Sequence, residues 1–309
     1  MNPPAGALAD SGWQYQGDWG NFSGTVIGPR HFITARHVGG LVGDRFRYRG
    51  NDYETINVVK FPDCDLAVWT VATPMPDWAP LYTGSSEVGQ EIVFFGRGTP
   101  RGKPVYTNGH LRGWHWDGNH DHRRSWGINT VDAVLPAAPR PLADREAGAK
   151  MVFDFSGDAS PNEGSVSGGD SGGGVFLCEN GVWKLAGVNY GVSGQFSVSG
   201  ENGEKEAGFS AALFDSRGLW RKTGLGYAFT PELTYYPAPT VSLATRISAY
   251  APRIQAILDE PPRPKLLTRR RVTLAAGLLF ALSLTLYIRR ARYRLRRLRH
   301  SVRRASTSG

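Results

Sequence analysis

Residues 165–176, with the sequence SVSGGDSGGGVF, place five glycines around one aspartate and three serines. This density of glycine excludes a regular helix or strand and allows the backbone to turn tightly and approach a ligand closely. The apolar residues 175–177 then predict the start of a buried strand. A serine on such a turn is one way to build a nucleophile beside backbone N–H groups. The alternative is a Gly/Ser-rich surface loop, and the catalytic interpretation requires a base elsewhere in the chain.

Glycine and proline are abundant throughout the chain, with 39 and 20 copies in 309 residues. Frequent turns of this kind favour an all-β architecture of short strands. The length allows two core-bearing units and a tail. Two cysteines, Cys64 and Cys178, do not make a disulfide framework, and their flanks do not suggest a metal site. Whether they pair with each other is left open.

The positive charge of the chain is concentrated at its C-terminal end. Residues 259–309 hold 14 Lys and Arg against two acids, a net charge of +12 within a chain total of +9. The other residues therefore carry a net charge of −3. A mildly acidic folded part argues against a nucleic-acid-binding protein, although the pI is high.

A loop between residues 107 and 126 contains four of the seven histidines: His110, His115, His120 and His122. This cluster raises the hypothesis of a metal site. Its spacing matches no known set of metal ligands, however, and loops rich in aromatic, glycine and basic residues are common. We therefore expect no metal and no organic cofactor.

Two further residues are candidates for chemistry. His37 follows the apolar residues 32–35, which predict a strand, and by itself it is better explained as a structural histidine at a strand end. Asp65 immediately precedes the apolar run 66–69, where an aspartate is usually a turn or capping residue. The same position also suits a carboxylate that orients an imidazole.

Three motifs in order, residues 34–37 (TARH), 65–68 (DLAV) and 169–173 (GDSGG), resemble those of chymotrypsin-like serine peptidases. Residues 245–250 resemble the strand-to-helix close of that family, and residues 187–191 resemble its substrate-pairing strand. The resemblance extends from Trp13 to Leu258. It implies two six-stranded antiparallel β-barrels and a short C-terminal helix, which the apolar spacing of residues 254–258 also predicts.

The resemblance implies a role for each residue of the site. Ser171 is the nucleophile, His37 the general base and Asp65 its orienting acid, in preference to Asp63 because Asp65 directly precedes the apolar strand. The backbone N–H groups of Gly169 and Ser171 form the oxyanion hole. Ser165 corresponds to the floor of the specificity pocket, and an uncharged floor favours an apolar or aromatic residue over Arg or Lys. The substrate-binding residues of the implied pairing strand are Asn189, Tyr190 and Gly191.

The sequence departs from the family pattern at several positions. Val38 and Ser167 stand where cysteines are usual, so the disulfides beside the active site are missing, and Arg36 replaces a small residue. No activation sequence resembling Ile-Val-Gly-Gly occurs near the N-terminus. Activation by N-terminal cleavage is therefore not expected, and Asp170 needs a partner other than a newly freed amino group.

The apolar residues 272–288 predict a single transmembrane helix with arginines on both sides. The denser positive charge after this segment places the C-terminus in the cytoplasm and the peptidase on the outer side of the membrane. The sequence shows no signal peptide, which leaves a misassigned start codon, a tail-anchored cytoplasmic peptidase or a C-terminal sorting signal as explanations. The predicted segments are a flexible N-terminus (1–12), a first barrel (13–84), a second barrel with insertions (85–258), a Pro/Arg-rich linker (259–271), the transmembrane helix (272–288) and a basic tail (289–309).

The sequence thus predicts a membrane-anchored serine endopeptidase that acts on protein or peptide substrates and binds no nucleic acid. Its C-terminal transmembrane helix, residues 272–288, is expected to contact lipid. One alternative is a catalytically inactive protein of the same fold that binds peptides. Another is a nucleic-acid- or lipid-binding protein that acts through the arginine tail.

Overall fold

The first six strands of the computed structural model close into a barrel. The structure describes residues 1–118, 120–137, 148–157, 160–199, 208–223 and 225–260. The barrel strands, joined in the order β1-β2-β3-β6-β5-β4 with β4 returning to β1, are β1 (Gln16–Trp19), β2 (Phe22–Gly28), β3 (His31–Ala35), β4 (Arg45–Tyr48), β5 (Asn51–Lys60) and β6 (Leu66–Val71). Every pairing is antiparallel, as the sequence predicts for the first barrel.

Aromatic side chains fill the interior of this barrel. Phe32 stacks on Phe46 with 3.9 Å between ring centroids, and Trp19 lies 4.7 Å from Trp69. All four rings are at most 4% exposed. Burial of large rings from strands far apart in the chain stabilises closure.

The prediction of a second closed six-stranded barrel is confirmed only in part. The second half contains a seven-stranded sheet in the order β10-β7-β13-β14-β19-β12-β11. Its edge strands, β10 and β11, are separated in the chain only by Val131 and Asp132, so the sheet curls until its edges meet at that link. No hydrogen-bonded ladder joins these edges among the described residues. The strands are β7 (Glu91–Gly96), β10 (Ser125–Thr130), β11 (Ala133–Leu135), β12 (Lys150–Asp154), β13 (Gly174–Glu179), β14 (Val182–Val192) and β19 (Val241–Arg246).

Two insertions build a third sheet that the sequence does not predict. It has the order β18-β17-β15-β16-β9-β8 and joins the β8–β9 hairpin to a segment between β14 and β19. Its strands are β8 (Arg101–Thr107), β9 (His110–Trp116), β15 (Gln195–Ser197), β16 (Phe209–Leu213), β17 (Trp220–Thr223) and β18 (Gly226–Phe229). The Arg112 side chain, which is 4% exposed, forms ion pairs with Asp215 and Glu232.

Both ends of the chain's compact unit, Met1–Asp259, pack against the core. The predicted C-terminal helix is present as α1 (Ala251–Asp259), with Ile254 fully buried. The N-terminal residues, expected to be flexible, instead place Leu8 against the core and bury Ser11. No helix within the described ranges has both the length and the apolar character needed to cross a membrane. The predicted linker beyond Glu260, the segment 272–288 and the basic tail lie outside the described residues.

Candidate active site

The register between β3 and β6 places His37 beside Asp65. Ala35 pairs with Leu66, so the turn that follows β3 meets the residue that precedes β6. The His37 backbone N–H donates to Asp65 Oδ1 at 2.9 Å, and His37 Nδ1 lies 2.5 Å from Asp65 Oδ2. Asp65 is fully buried, whereas the His37 side chain is 24% exposed. The carboxylate therefore fixes the orientation of an imidazole whose other edge remains accessible.

Ser171 lies at that accessible edge. Its Oγ is 2.8 Å from His37 Nε2, which completes a hydrogen-bonded chain from Asp65 through His37 to the hydroxyl. The other acid considered from sequence, Asp63, is nearly half exposed and forms an ion pair with Arg253 at 2.7 Å. The structure thus brings together three predicted residues that are 28 and 106 positions apart and places Asp63 elsewhere.

The turn around Ser171 requires glycine. Gly169 and Gly172 have φ values of +99° and +81°. A Cβ on Gly172 would lie 2.2 Å from Thr34 Oγ1, whose hydroxyl donates to Ser23 O at 2.7 Å. The backbone N–H groups of Gly169 and Ser171 have no acceptor within the part of the chain that the structure describes. They are therefore available to an acceptor on a bound molecule.

Asp170, which the sequence left without a partner, is held by backbone groups and one hydroxyl. Gly98 N–H donates to Oδ1 at 2.7 Å, and Ser167 donates to Oδ2 from its N–H at 2.8 Å and from its Oγ at 2.9 Å. Burial raises the pKa of the Asp170 carboxyl, and these hydrogen bonds oppose that rise. The loop is thus held without a freed amino terminus.

Ser167 also links this carboxylate to the loop after β7. Its Oγ accepts the Thr99 N–H at 2.8 Å and lies 3.2 Å from Thr99 O. The sequence marked Ser167 only as the replacement for a usual cysteine. Because its partners are 68 positions away, no local pattern predicts this second role.

The three residues predicted to pair with substrate differ in their surroundings. Asn189 is fully buried, and its Nδ2 donates to Phe95 O at 2.8 Å and to Asp170 O at 3.2 Å, so its side chain braces the loop. The Tyr190 ring meets His37 edge-on, with 6.1 Å between centroids. A Cβ built on Gly191 would have no heavy atom within 4 Å, which leaves open space beside the backbone.

Ser165 lies beside β19. Its Oγ is 3.2 Å from the Oγ of Ser242, which is fully buried and also accepts the Val166 N–H at 3.0 Å. Ser242 pairs in register with Val192 at the end of β14. The hydrogen-bond partners of the Ser165 hydroxyl are therefore neutral, and they lie close to the end of that strand.

Sequence reasoning missed two residues that support the site. Lys150 is 4% exposed, and its Nζ lies 4.4 Å from the centre of the Tyr190 ring. Gln16 Oε1 accepts the N–H of Gly174, three positions after Ser171. The buried pattern of a strand gives no indication that a lysine or glutamine within it serves a distant loop.

The histidine loop does not assemble a metal site within the described residues, where no group of three or more His, Cys, Asp or Glu side chains has suitable geometry. His120 stacks on His122 with 5.8 Å between centroids, and His115 packs against Phe209. Cys64 and Cys178 are both free thiols. Burial raises the pKa of the Cys64 thiol to about 12, which makes it a poor nucleophile.

Comparisons with known proteins give limited information. No protein-family model matches the chain, and no curated protein matches it. A solved structure of Rv3671c from M. tuberculosis H37Rv, a serine-to-alanine mutant in an inactive form, is 16% identical with a TM-score of 0.40, covering 66% of this chain and 83% of that one. A structure of Rv3671c protease in an inactive form is 17% identical with a TM-score of 0.39, covering 60% and 81%. Likeness at this level carries no argument about function.

Proposed function

We propose that this protein is a chymotrypsin-like serine endopeptidase. The observation that carries the proposal is the hydrogen-bonded chain of Asp65, His37 and Ser171, in which a fully buried carboxylate orients an imidazole toward a partly exposed hydroxyl. A hydroxyl, a base and an orienting acid in this order are the requirements for nucleophilic acyl transfer.

Acylation follows from these contacts. As Ser171 Oγ forms a bond to the carbonyl carbon of the substrate, its proton passes to His37 Nε2 across 2.8 Å. The imidazolium is stabilised by the Asp65 carboxylate, which accepts a hydrogen bond from Nδ1–H and stays ionised. When the tetrahedral intermediate collapses, the C–N bond breaks and His37 returns the proton to the leaving amine, which leaves an ester on Ser171.

The backbone N–H groups of Gly169 and Ser171 stabilise the oxyanion that forms in this step. Donors fixed before the reaction need no reorganisation, and each contributes about 10²–10³ in rate. A water molecule then attacks the ester and gives its proton to His37. The bond between the acyl carbon and Ser171 Oγ breaks, His37 returns the proton to Oγ, and the acid product is released. Asp170 contributes by fixing the loop that carries both donors.

The substrate backbone is proposed to pair with the part of β14 that extends past β13. Asn189 forms the last backbone contacts with the loop before β13, and Tyr190 and Gly191 continue beyond it. An exposed strand edge binds an extended peptide through main-chain hydrogen bonds. The uncharged hydroxyls of Ser165 and Ser242 favour an apolar or aromatic side chain over Arg or Lys at the residue whose carbonyl is attacked.

A fluorophosphonate probe tests the proposal, because it reacts only with an activated serine. We expect the full-length protein to be labelled and Ser171→Ala to be unlabelled. Ser156→Ala removes an exposed hydroxyl bound to Glu163 and serves as the matched control. Cleavage of a peptide blocked at both ends then distinguishes an endopeptidase from an exopeptidase. If the wild-type protein is not labelled, the proposed peptidase activity is refuted and the peptide-binding alternative remains.

The proposal includes a membrane anchor at residues 272–288. The 17 residues of this segment carry no charge, and arginines flank both of its ends. Carbonate extraction of membranes should leave the full-length protein in the pellet and release a variant lacking 272–288. Proteolysis of intact cells reports the orientation, and the proposed outer location fails if the peptidase is protected until the cells are lysed.

A further inference from the structure

A cavity of about 310 Å³ lies against β1 and β4, on the first barrel. Its walls include Trp13, Gln16 and Asp18 together with three arginines, Arg47, Arg49 and Arg124. The volume falls in the range of small-ligand pockets. The cavity is thus lined by three cations and one carboxylate.

The positive charge around the cavity is only partly compensated. Arg49 forms an ion pair with Asp77 at 2.9 Å. Asp18 forms ion pairs with two guanidinium groups, at 3.3 Å from Arg124 and 3.7 Å from Arg97.

Arg47 forms no ion pair within the described residues. Its cross-strand neighbours are Asp52, which contacts Arg45 at 3.5 Å, and Asp18, which is shared by Arg124 and Arg97. Together with their ion-pair partners Asp77 and Arg97, the arginines and Asp18 of the wall make four cations against two carboxylates, which leaves a local excess of two positive charges.

Arg124 is held in an unusual environment for a cation. Its guanidinium lies 5.1 Å from the centre of the Trp13 ring, and its side chain is 23% exposed. Its Nε is buried without a hydrogen-bond partner in the described part of the chain. Burial lowers the pKa of Arg124, and the Asp18 carboxylate opposes that change. The exposed part of the guanidinium therefore remains able to donate to a ligand in the cavity.

The cavity is connected to the Ser171 loop on two sides. Gln16, in its wall, accepts the Gly174 N–H at 3.1 Å. Arg97, which shares Asp18 with Arg124, precedes Gly98, the residue that donates to Asp170. A ligand in the cavity would therefore contact residues that are linked by hydrogen bonds to the segment 168–174.

We propose that this cavity is a regulatory site for a phosphate-bearing small ligand. A phosphate group carries about −1.5 to −2 charges at neutral pH, which matches the local excess, and its oxygens suit the planar donors of arginine. Bound phosphate bridges Arg47 and Arg124 and orders the wall that contains Gln16. The regulatory role rests on the proposed peptidase function, whereas binding itself does not.

Calorimetric titration of the full-length protein with inorganic pyrophosphate tests binding. Loss of one hydrogen bond to a charged group predicts about 10-fold to 100-fold weaker binding for Arg47→Gln, an exposed residue whose substitution leaves the core intact. Arg124→Gln provides a second variant, with thermal unfolding as the check on folding. Arg45→Gln, on the same strand but outside the cavity, is the matched control and should bind within about twofold of wild type.

Hydrogen exchange of the Gly174 amide tests the coupling without requiring catalysis. Pyrophosphate should slow this exchange by about fivefold or more in wild type, and not in Arg47→Gln. The proposal is overturned if pyrophosphate does not bind or if it leaves Gly174 exchange unchanged. It is also overturned if Arg47→Gln and Arg45→Gln bind pyrophosphate equally, which is the result expected for binding by the arginine tail. Failure of fluorophosphonate labelling alone refutes the peptidase and leaves these two measurements valid.

Discussion

The hydroxyl of Ser167 offers a sharp test of how the Ser171 loop is held. Ser167→Ala removes the hydrogen bond to Asp170 Oδ2 at 2.9 Å and the acceptor of the Thr99 N–H at 2.8 Å. A bond to a charged group contributes about 1.5–3 kcal/mol, and an unsatisfied buried donor costs about 1–3 kcal/mol. Since Thr99 is only partly buried, we expect a loss of about 3 kcal/mol in the free energy of unfolding.

The same substitution should slow the reaction of Ser171. Asp170 is the neighbour of Ser171, and a displacement of about 1 Å in a catalytic group costs about 10²-fold in rate. We therefore expect fluorophosphonate labelling to be about 10-fold to 100-fold slower in Ser167→Ala. Urea unfolding followed by tryptophan fluorescence measures the free energy of unfolding. The second-order rate constant of labelling measures how well the loop positions Ser171 for reaction.

Ser165→Ala is the stability control, because its hydroxyl lies two positions earlier and has only neutral partners, Ser242 Oγ at 3.2 Å and Val166 O at 3.4 Å. Its loss should not exceed about 1.5 kcal/mol. The reasoning is refuted if Ser167→Ala is no less stable than Ser165→Ala and is labelled at the wild-type rate.

Three further predictions concern the acid, the packing of the second sheet and the glycine turn. Asp65→Asn should lower the rate of peptide cleavage by about 10⁴-fold, the loss attributed to the wrong imidazole tautomer in a Ser-His-Asp triad, while the folded state of the protein is retained. Glu87 is fully buried, and its folded-state pKa is lowered because the hydrogen bonds from Arg246 at 2.7 and 2.9 Å outweigh the effect of burial. The stabilisation by this carboxylate is therefore fully present above pH about 4.5 and is lost as the pH falls below that value. Glu87→Gln should reduce the free energy of unfolding by about 3 kcal/mol at pH 7. It should also flatten the acid side of the plot of stability against pH. Gly172→Ala should abolish labelling of Ser171, because both its positive φ and its close contacts exclude a Cβ.

Each of these predictions has its own contrary outcome. Cleavage by Asp65→Asn within about tenfold of wild type would remove Asp65 from the mechanism. An unchanged acid limb in Glu87→Gln, measured by urea unfolding from pH 3 to 7, would contradict the lowered pKa. Gly181→Ala is the control for the glycine turn, since it has φ +76° but open space around its Cβ and should retain labelling.

The sequence predicted the parts of this protein that depend on local pattern. Abundant glycine and proline indicated an all-β chain, and the strand before His37 and the apolar run after Asp65 are observed as β3 and β6. The glycines around Ser171 required a tight turn for steric reasons that hold in any fold. These features depend on neighbouring residues, so they can be read along the chain.

Tertiary structure decided what depends on residues far apart. The second sheet brings its edge strands β10 and β11 together through Val131 and Asp132, and the insertions form a sheet of their own, because strand order depends on long-range pairing. Asp170 is held by Gly98, 72 positions earlier, a contact that only the meeting of two loops creates. The sequence thus supplied the nucleophile, base and acid as candidates. The fold decided that a buried carboxylate, an imidazole and a hydroxyl lie within hydrogen-bonding distance, because the register of β3 with β6 and the packing of the glycine turn on Thr34 fix their positions.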